Sequence, residues 1–278
     1  MNIEGKSFRK IAFISDLHVK NSKDIGYSIL LDFLSHPLVN ECTDIYLLGD
    51  IFNLMIGNHR DYFVRYREYF NLLKHLLNSQ ICVNIFEGNH DFHLSDLYKI
   101  FVANEKLERV KLRVHKSSFQ EMIYGRSFYF SHGDELFARF APLDNGMYFL
   151  YRAFIRSLVA NFIIGRAPLA AVDFIGERAA RFSSGRRCKN CLDFSAIRKK
   201  FRGKIMDLAI ENDHDFLICG HVHIQDDFIF TDDTGKSRHY INNGYPLENR
   251  TFGYIDSDSD YGSDGGSDDG KLVKFILF

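Results

Sequence analysis

The chain has 278 residues, of which 46% are hydrophobic and 26% charged, and its formal net charge is −1. This length suffices for one large α/β domain or two small ones, with enough apolar side chains for a sizeable core. The near-neutral charge gives no bulk attraction to polyanions, so no nucleic-acid partner is expected, and no protein partner is inferred. The five cysteines, including the lone CxxC pair Cys188 and Cys191, favour free thiols.

The sequence shows no pattern typical of a signal peptide or of a membrane-spanning segment. Its first ten residues hold no apolar run and no small-residue cleavage site, so we expect no signal peptide. No stretch reaches the roughly 18 uncharged apolar residues that a membrane span needs. The longest apolar region, residues 147–174, is interrupted by Arg152, Arg156, Arg166 and Pro168. These patterns predict a cytosolic protein.

Strands and helices alternate in the first third of the chain. Short apolar runs predict strands at residues 10–15, 43–48 and 81–86, with helices at residues 24–36 and 60–78 between them. The second helix places its aromatic and leucine residues on one face. A β-α-β-α-β order predicts a parallel sheet with helical crossovers.

The rest of the chain alternates strands with one long helical stretch. Further strands are predicted at residues 111–115, 119–124, 127–131, 217–219, 227–230, 239–242 and 271–278. Residues 144–212 between them favour helix, either as another core layer or, over about 140–195, as an inserted cap. The acidic, low-complexity segment 257–270 is expected to be a disordered loop. The whole chain, residues 1–278, is interpreted as a single domain.

Five short polar motifs each follow an apolar strand directly. They are Asp16-Leu17-His18, Gly49-Asp50, Gly88-Asn89-His90-Asp91, His132-Gly133 and Gly220-His221-Val222-His223. Functional groups of open α/β sheets gather outside the carboxyl ends of strands, so these motifs can converge on one site. Mixed Asp and His donors without cysteine suit Mn²⁺, Fe or Zn²⁺, and the two oxygens of Asp50 can bridge two ions.

This series of motifs resembles the calcineurin-like metallophosphoesterases over nearly the whole chain. The resemblance implies an α/β fold, a four-layer α-β-β-α sandwich with a helical insertion, and two divalent metal ions. Mn²⁺ is favoured, with Fe or Zn²⁺ as alternatives. By the resemblance, one ion is held by Asp16, His18, Asp50 and His223, and the other by Asp50, Asn89, His132 and His221. His90 takes the role of general acid, oriented by Asp91, or else packs beside the metal ligands.

Two segments narrow the resemblance. Residues 51–57 (IFNLMIG) and 132–136 (HGDEL) are similar to the UDP-2,3-diacylglucosamine hydrolase branch of the class, which acts in lipid A biosynthesis. That branch splits the pyrophosphate of UDP-2,3-diacylglucosamine into UMP and diacylglucosamine 1-phosphate, beneath a helical cap. Asn53, Met55 and His90 depart from its usual pattern. The alternatives are a phosphatase or phosphodiesterase with a soluble substrate, and a non-catalytic scaffold of the same fold.

The helical insertion is both apolar and basic. This composition suits an acylated nucleotide-sugar or an anionic membrane surface. The candidate substrate contacts are Tyr148, Arg178, Arg181, Arg186 and Lys189. We therefore expect a cytoplasmic protein peripherally associated with the inner membrane. The alternative is a helix hairpin that packs on the sheet and keeps a solvated basic face.

Overall fold

The computed structural model describes residues 9–57, 59–107, 111–138, 157, 162–163, 166–174, 194–256 and 272–278. The predicted acidic loop, 257–270, lies outside the described residues. Most of the predicted insertion, about 140–195, lies outside them as well. Within the described residues, no helix is long and apolar enough to cross a membrane.

A six-stranded sheet is formed from strands near both ends of the sequence. Its order is β13 (Val273–Leu277), β12 (Thr251–Asp256), β1 (Lys10–Ile14), β2 (Asp44–Leu47), β4 (Cys82–Phe86) and β6 (Leu112–His115). The last four strands run parallel, as the alternating pattern predicts, while β12 is antiparallel to both β1 and β13. The carboxyl ends of β1, β2 and β4 therefore meet at one edge of the sheet.

Helices cover the outer face of this sheet. They are α1 (Ile25–Ser35), α2 (Pro37–Asn40), α3 (Asp61–Arg65), α4 (Arg67–Asn78) and α5 (Ser95–Asn104). The side chain of Asp24 caps α1 by accepting from Gly26 N, and α1 ends where His36 is extended before a proline. The predicted helix 60–78 is divided at Tyr66, whose φ of −119° and ψ of 42° are not helical. The ring of Tyr66 is buried against Tyr27 and Phe52.

The second sheet has five strands and its own outer helices. Its order is β10 (Gln225–Thr231), β11 (Ser237–Asn243), β9 (Phe216–Cys219), β8 (Arg126–Ser131) and β7 (Phe119–Ile123). The helices α6 (Asp134–Ala138) and α7 (Phe194–Glu211) lie on its outer face, and α8 (Pro246–Asn249) precedes β12. A separate pair of two-residue strands, β3 (Met55–Ile56) and β5 (Asp91–Phe92), runs parallel beside the first sheet.

The two sheets pack face to face through an aromatic core. Phe13 and Tyr46 of the first sheet meet Phe128 and Phe130 of the second, and the rings of Tyr46 and Phe130 stack at 4.1 Å. A larger core lies between the first sheet and α1, α4 and α5, and a smaller one between the second sheet and α7. The order helix, sheet, sheet, helix confirms the predicted four-layer α-β-β-α sandwich.

Candidate metal centre

The five motifs follow strands of both sheets and lie close together. Asp16 follows β1, Asp50 follows β2, and Asn89 follows β4, while His132 and His221 follow β8 and β9. Backbone hydrogen bonds tie the loops together: Asp16 N donates to Gly49 O at 3.2 Å, and Gly220 N donates to His132 O at 2.9 Å. The strands of the two sheets thus bring the predicted donors to one place.

The backbone is left-handed at five of the seven predicted ligands. Positive φ values occur at Asp16 (57°), His18 (46°), Asp50 (51°), His221 (73°) and His223 (57°). Non-glycine residues in this region cost roughly 1–3 kcal/mol each, and such residues cluster at functional sites. The surrounding sheets must offset this cost, and the strain turns the donor side chains of successive loops toward one another.

Two glycines allow the loops to approach this closely. A Cβ atom on Gly88 would lie 2.2 Å from Asp50 Oδ1, and one on Gly220 would lie 2.5 Å from Asp16 Oδ2. Neither distance is possible for real atoms. Each glycine is therefore required by the carboxylate beside it.

The first donor group contains Asp16, His18 and His223. Asp16 Oδ1 lies 3.3 Å from His223 Nε2, which lies 3.1 Å from His18 Nε2. The other oxygen, Oδ2, accepts from Ser15 Oγ and from His221 N. Oδ1 is buried and, among the described residues, has no hydrogen-bond donor. A buried carboxylate oxygen beside two converging imidazole nitrogens is a suitable donor set for a divalent cation.

The second donor group surrounds His132. Its Nε2 atom lies 3.4 Å from Asp50 Oδ2, 3.3 Å from Asn89 Oδ1 and 3.2 Å from His221 Nδ1. On the other side of the ring, Nδ1–H donates to the carbonyl oxygen of Leu48 at 2.9 Å. In the neutral ring, this bond fixes the tautomer and leaves the Nε2 lone pair for a metal.

Asp50 connects the two groups. The same Oδ2 atom that faces His132 also lies 3.9 Å from His18 Nε2, and Asp50 takes part in a candidate metal-binding cluster with either histidine. A carboxylate placed between two sets of donors fits a bridging ligand of a two-metal site. All seven predicted metal ligands are thus brought together. Among the described residues, the cluster that joins His18 to Asp50 also contains His90.

Among the histidines of the site, His132 differs in protonation from His18 and His221. Burial lowers the pKa of His132, but the Asp50 carboxylate outweighs burial and raises it to about 10. Burial lowers the pKa of both His18 and His221 to about 4. In the metal-free protein at neutral pH, His132 therefore carries a second ring proton, while His18 and His221 are neutral.

We predict that metal binding releases this proton, because only the neutral imidazole binds a cation. Titration of Mn²⁺ into metal-free protein, in buffers of different ionisation enthalpy, should report about one proton from His132. Affinity should rise with pH up to about 10. Calorimetric heats that do not depend on the buffer would contradict this prediction.

In the absence of metal, the His132–Asp50 pair stabilises the fold fully below pH 6.5, and this contribution is lost as the pH rises toward 10.

The loop of His90 departs from the expected arrangement. Asp91 accepts hydrogen bonds from the backbone N–H groups of Asp50, Ile51, Phe52 and Gly88, at 2.8–3.3 Å. His90 N donates to Asp50 Oδ1, and the ring atom Nδ1–H donates to the carbonyl oxygen of Asn53 at 3.1 Å. The expectation that Asp91 orients the His90 ring is therefore corrected. Asp91 holds the two metal-site loops together, and the backbone at Asn53 orients the ring.

Several supporting residues were not predicted from the sequence. Ser15 Oγ contacts both Asp16 and the buried side chain of Asn243, and the ring of Tyr245 stacks on His223 at 5.0 Å. Asn242 Nδ2 donates to Gly220 O. Residues 242–245 (NNGY) form a polar motif at the carboxyl end of β11, and this position at a strand end could have indicated them. The predicted substrate contacts Tyr148, Arg178, Arg181, Arg186 and Lys189 lie outside the described residues.

A four-layer α/β sandwich with carboxylate, imidazole and amide donors at its strand ends defines a metal-dependent hydrolase. The family model for calcineurin-like phosphoesterases matches residues 9–225. The chain therefore belongs to the calcineurin-like phosphoesterase family and is a metal-dependent phosphoester hydrolase, which confirms the resemblance drawn from the motifs.

Two curated relatives share a name. The UDP-2,3-diacylglucosamine hydrolase of Blochmanniella pennsylvanica is 28% identical over 218 residues, covering 77% of this chain and 78% of the relative. The protein of the same name from Psychromonas ingrahamii is 21% identical over 211 residues, covering 76% and 79%.

Among solved structures, an archaeal phosphodiesterase matches with a TM-score of 0.44 and 13% identity, covering 97% of this chain and 99% of that one. Vacuolar protein sorting 29 from Cryptosporidium parvum matches with a TM-score of 0.40 and 14% identity, covering 89% and 84%.

Proposed function

We propose that the protein hydrolyses the pyrophosphate of UDP-2,3-diacylglucosamine, giving UMP and diacylglucosamine 1-phosphate for lipid A biosynthesis. The observation that carries this proposal is that two curated relatives of this name align with about three quarters of the chain, over more than three quarters of their own length. The clustered donors around Asp50 supply the site that such a reaction needs.

Different residues of the chain have different roles in the proposed reaction. We propose that Asp16, His18, Asp50 and His223 hold one divalent ion, and Asp50, Asn89, His132 and His221 the other, with Mn²⁺ preferred over Fe or Zn²⁺. When bound, such ions neutralise phosphoryl oxygens and lower the pKa of a coordinated water. Asp91 keeps the two loops that carry Asp50 and Asn89 at a fixed separation through its backbone hydrogen bonds.

His90 is proposed to supply the proton for the leaving group. Because Nδ1–H is held by the Asn53 carbonyl, Nε2 is the atom that can carry and donate a second proton. The His90 ring also lies edge-on to His18, with centroids 4.9 Å apart, which places it beside the proposed ions. A phosphate leaving group needs less protonation than an alkoxide does. His90 therefore supports, as a second candidate, a monoester or diester substrate that is soluble in water.

The described part of the insertion supports contact with an amphipathic substrate or membrane. Phe162, Ile163 and Phe174 are each about 60% exposed, and the Arg166 guanidinium lies 3.6 Å from the Phe162 ring centroid. Exposed apolar side chains beside a cation suit acyl chains with an anionic head group. We propose that this surface binds the substrate at the cytoplasmic face of the inner membrane. Tyr148, Arg178, Arg181, Arg186 and Lys189 remain the proposed substrate contacts.

Replacing residues 152–189 by a short linker tests the proposal. Hydrolysis of UDP-2,3-diacylglucosamine with Mn²⁺ present should be abolished, because the acyl chains lose their binding surface. Metal content and hydrolysis of a small aryl phosphodiester should be preserved, since the donors all lie at strand ends of the two sheets. If the shortened enzyme still processes the acylated substrate, or the intact enzyme ignores it, the substrate assignment is wrong.

A further inference from the structure

One ion pair joins the described part of the insertion to the body of the protein. Arg65, the last residue of α3, contacts Asp173 through two parallel hydrogen bonds, Nη1 to Oδ1 at 3.1 Å and Nη2 to Oδ2 at 2.8 Å. Asp173 lies in a helical segment at residues 169–174. Paired hydrogen bonds of this kind fix the relative orientation of the two groups as well as their separation.

An apolar contact lies next to this pair. Val172 packs against Ile56 and Phe92, and all three side chains are at most 7% exposed. Leu54 and Ala167 border the same cluster. The insertion is therefore held by a buried contact and a charged one at neighbouring residues.

The surface that receives Val172 is continuous with the metal-site loops. Ile56 and Phe92 belong to β3 and β5, whose two-residue pairing joins Met55 to Asp91 and Ile56 to Phe92. Met55 N donates to the carbonyl oxygen of His90, and Tyr62 in α3 accepts from Ile56 N. The surface that holds the insertion thus belongs to the same two chain segments as Asn53 and His90.

We propose that Arg65 and Asp173 are a positioning pair, which anchors the insertion to β3 and β5 and so aligns it with the loop of His90 for a large substrate. The pair acts on substrate positioning and does not touch the reacting atoms. This inference rests on the proposed function only for the identity of the large substrate, because the anchoring itself is measured without any substrate.

The first test is limited trypsin digestion of the metal-loaded protein. Residues 175–193 contain Arg178, Arg181, Arg186, Arg187 and Lys189, which supply trypsin sites next to the anchor. Asp173→Ala and Arg65→Ala should each speed cleavage in this segment, by about 10-fold. The charge reversal that combines Arg65→Asp with Asp173→Arg should restore most of the protection. Val172→Ala provides a second variant, which weakens the apolar half of the anchor without altering charge.

The second test compares two substrates. The single variants should raise KM for UDP-2,3-diacylglucosamine about 5- to 10-fold, a typical size for coupling between residues in contact, and change kcat little. Both constants for a small aryl phosphodiester should stay unchanged. A matched control removes the Lys74–Glu105 pair (2.6 Å), which joins α4 to the end of α5 and is similarly exposed. Loss of that pair should alter neither digestion nor turnover.

The outcomes separate the anchor from the substrate assignment. Unchanged digestion in the single variants, or charge reversal that fails to restore protection in a protein of normal melting temperature, would overturn the anchor. Faster digestion with KM unchanged would overturn the positioning role. If the unaltered enzyme does not hydrolyse the acylated UDP-sugar, the proposed function fails, whereas digestion still decides whether the pair anchors the insertion.

Discussion

Asp50→Ala is expected to remove both metal ions and essentially all turnover, the largest effect of any single substitution. Among the described residues, Oδ2 of Asp50 is the carboxylate oxygen that lies near both donor groups, 3.4 Å from His132 Nε2 and 3.9 Å from His18 Nε2. Without it, each remaining group also loses the negative charge that offsets a divalent cation. Elemental analysis of the purified variant, together with a phosphodiester assay, measures both effects.

A surface acid provides the control for Asp50. Glu41 pairs with Lys10 at 3.4 Å and has a side chain that is 59% exposed, so Glu41→Ala should keep two ions and full activity. One tightly bound ion in the unaltered enzyme, with full activity, would contradict the two-metal assignment.

His90→Ala is expected to lower kcat by roughly 10²–10⁴-fold, the range typical of a lost general acid. The loss should grow with the pKa of the leaving group, because a poor leaving group depends most on the proton from Nε2. A series of aryl phosphodiesters with graded leaving groups measures this slope. The exposed histidine His75 in α4 supplies the control, since His75→Ala should leave the whole series unchanged.

The slope distinguishes three roles for His90. A steeper dependence on the leaving group in the variant supports acid catalysis. An equal loss for every substrate would indicate that His90 instead binds phosphate or packs beside the ligands. The hydrogen bond from His90 N to Asp50 Oδ1 involves the backbone, so it remains possible in the alanine variant. The substitution therefore tests the role of the imidazole ring and not that of the loop backbone.

The positions of the metal donors could be predicted because each depends on local sequence. An apolar strand followed by a polar motif places the motif at the sheet edge, whatever the details of the helices. The strand boundaries confirm this: residues 43–48 were predicted, and β2 spans Asp44–Leu47. The parallel order of β1, β2 and β4 follows from the same alternation of strands and helices.

Other elements gave a weaker signal. No bounds were predicted for the strand β12 before the acidic loop, because Gly253 interrupts its apolar pattern and glycine disfavours strands. The structure explains the glycine: a Cβ at this position would lie 2.0 Å from the ring of Phe13 on the neighbouring strand. Only the tertiary packing shows why this strand requires glycine, a residue that disfavours strands. The helix α5 carries Leu97, Tyr98 and Phe101 on its buried side, so there the signal was present and missed.

At the site, backbone contacts between distant loops could not be predicted from the sequence. No residue type indicates that the carbonyl of Asn53 will face His90, since every residue has a carbonyl. Asp91 was expected beside a histidine ring, yet its oxygens satisfy four backbone N–H groups of two loops. Such bonds depend on the crossing of chain segments, which follows from the whole fold.

The position of β1 has a consequence for synthesis on the ribosome. This strand carries the first metal donors, yet it lies inside the six-stranded sheet between β2 and β12, and Phe13 pairs with Gly253 near the other end of the sequence. The nascent chain must therefore hold β1 without one of its neighbours until residues 251–256 have been translated. Contacts so distant in sequence form slowly. Stable metal loading should accordingly follow synthesis of β12, and an arrested chain that ends before residue 251 should not retain the ions.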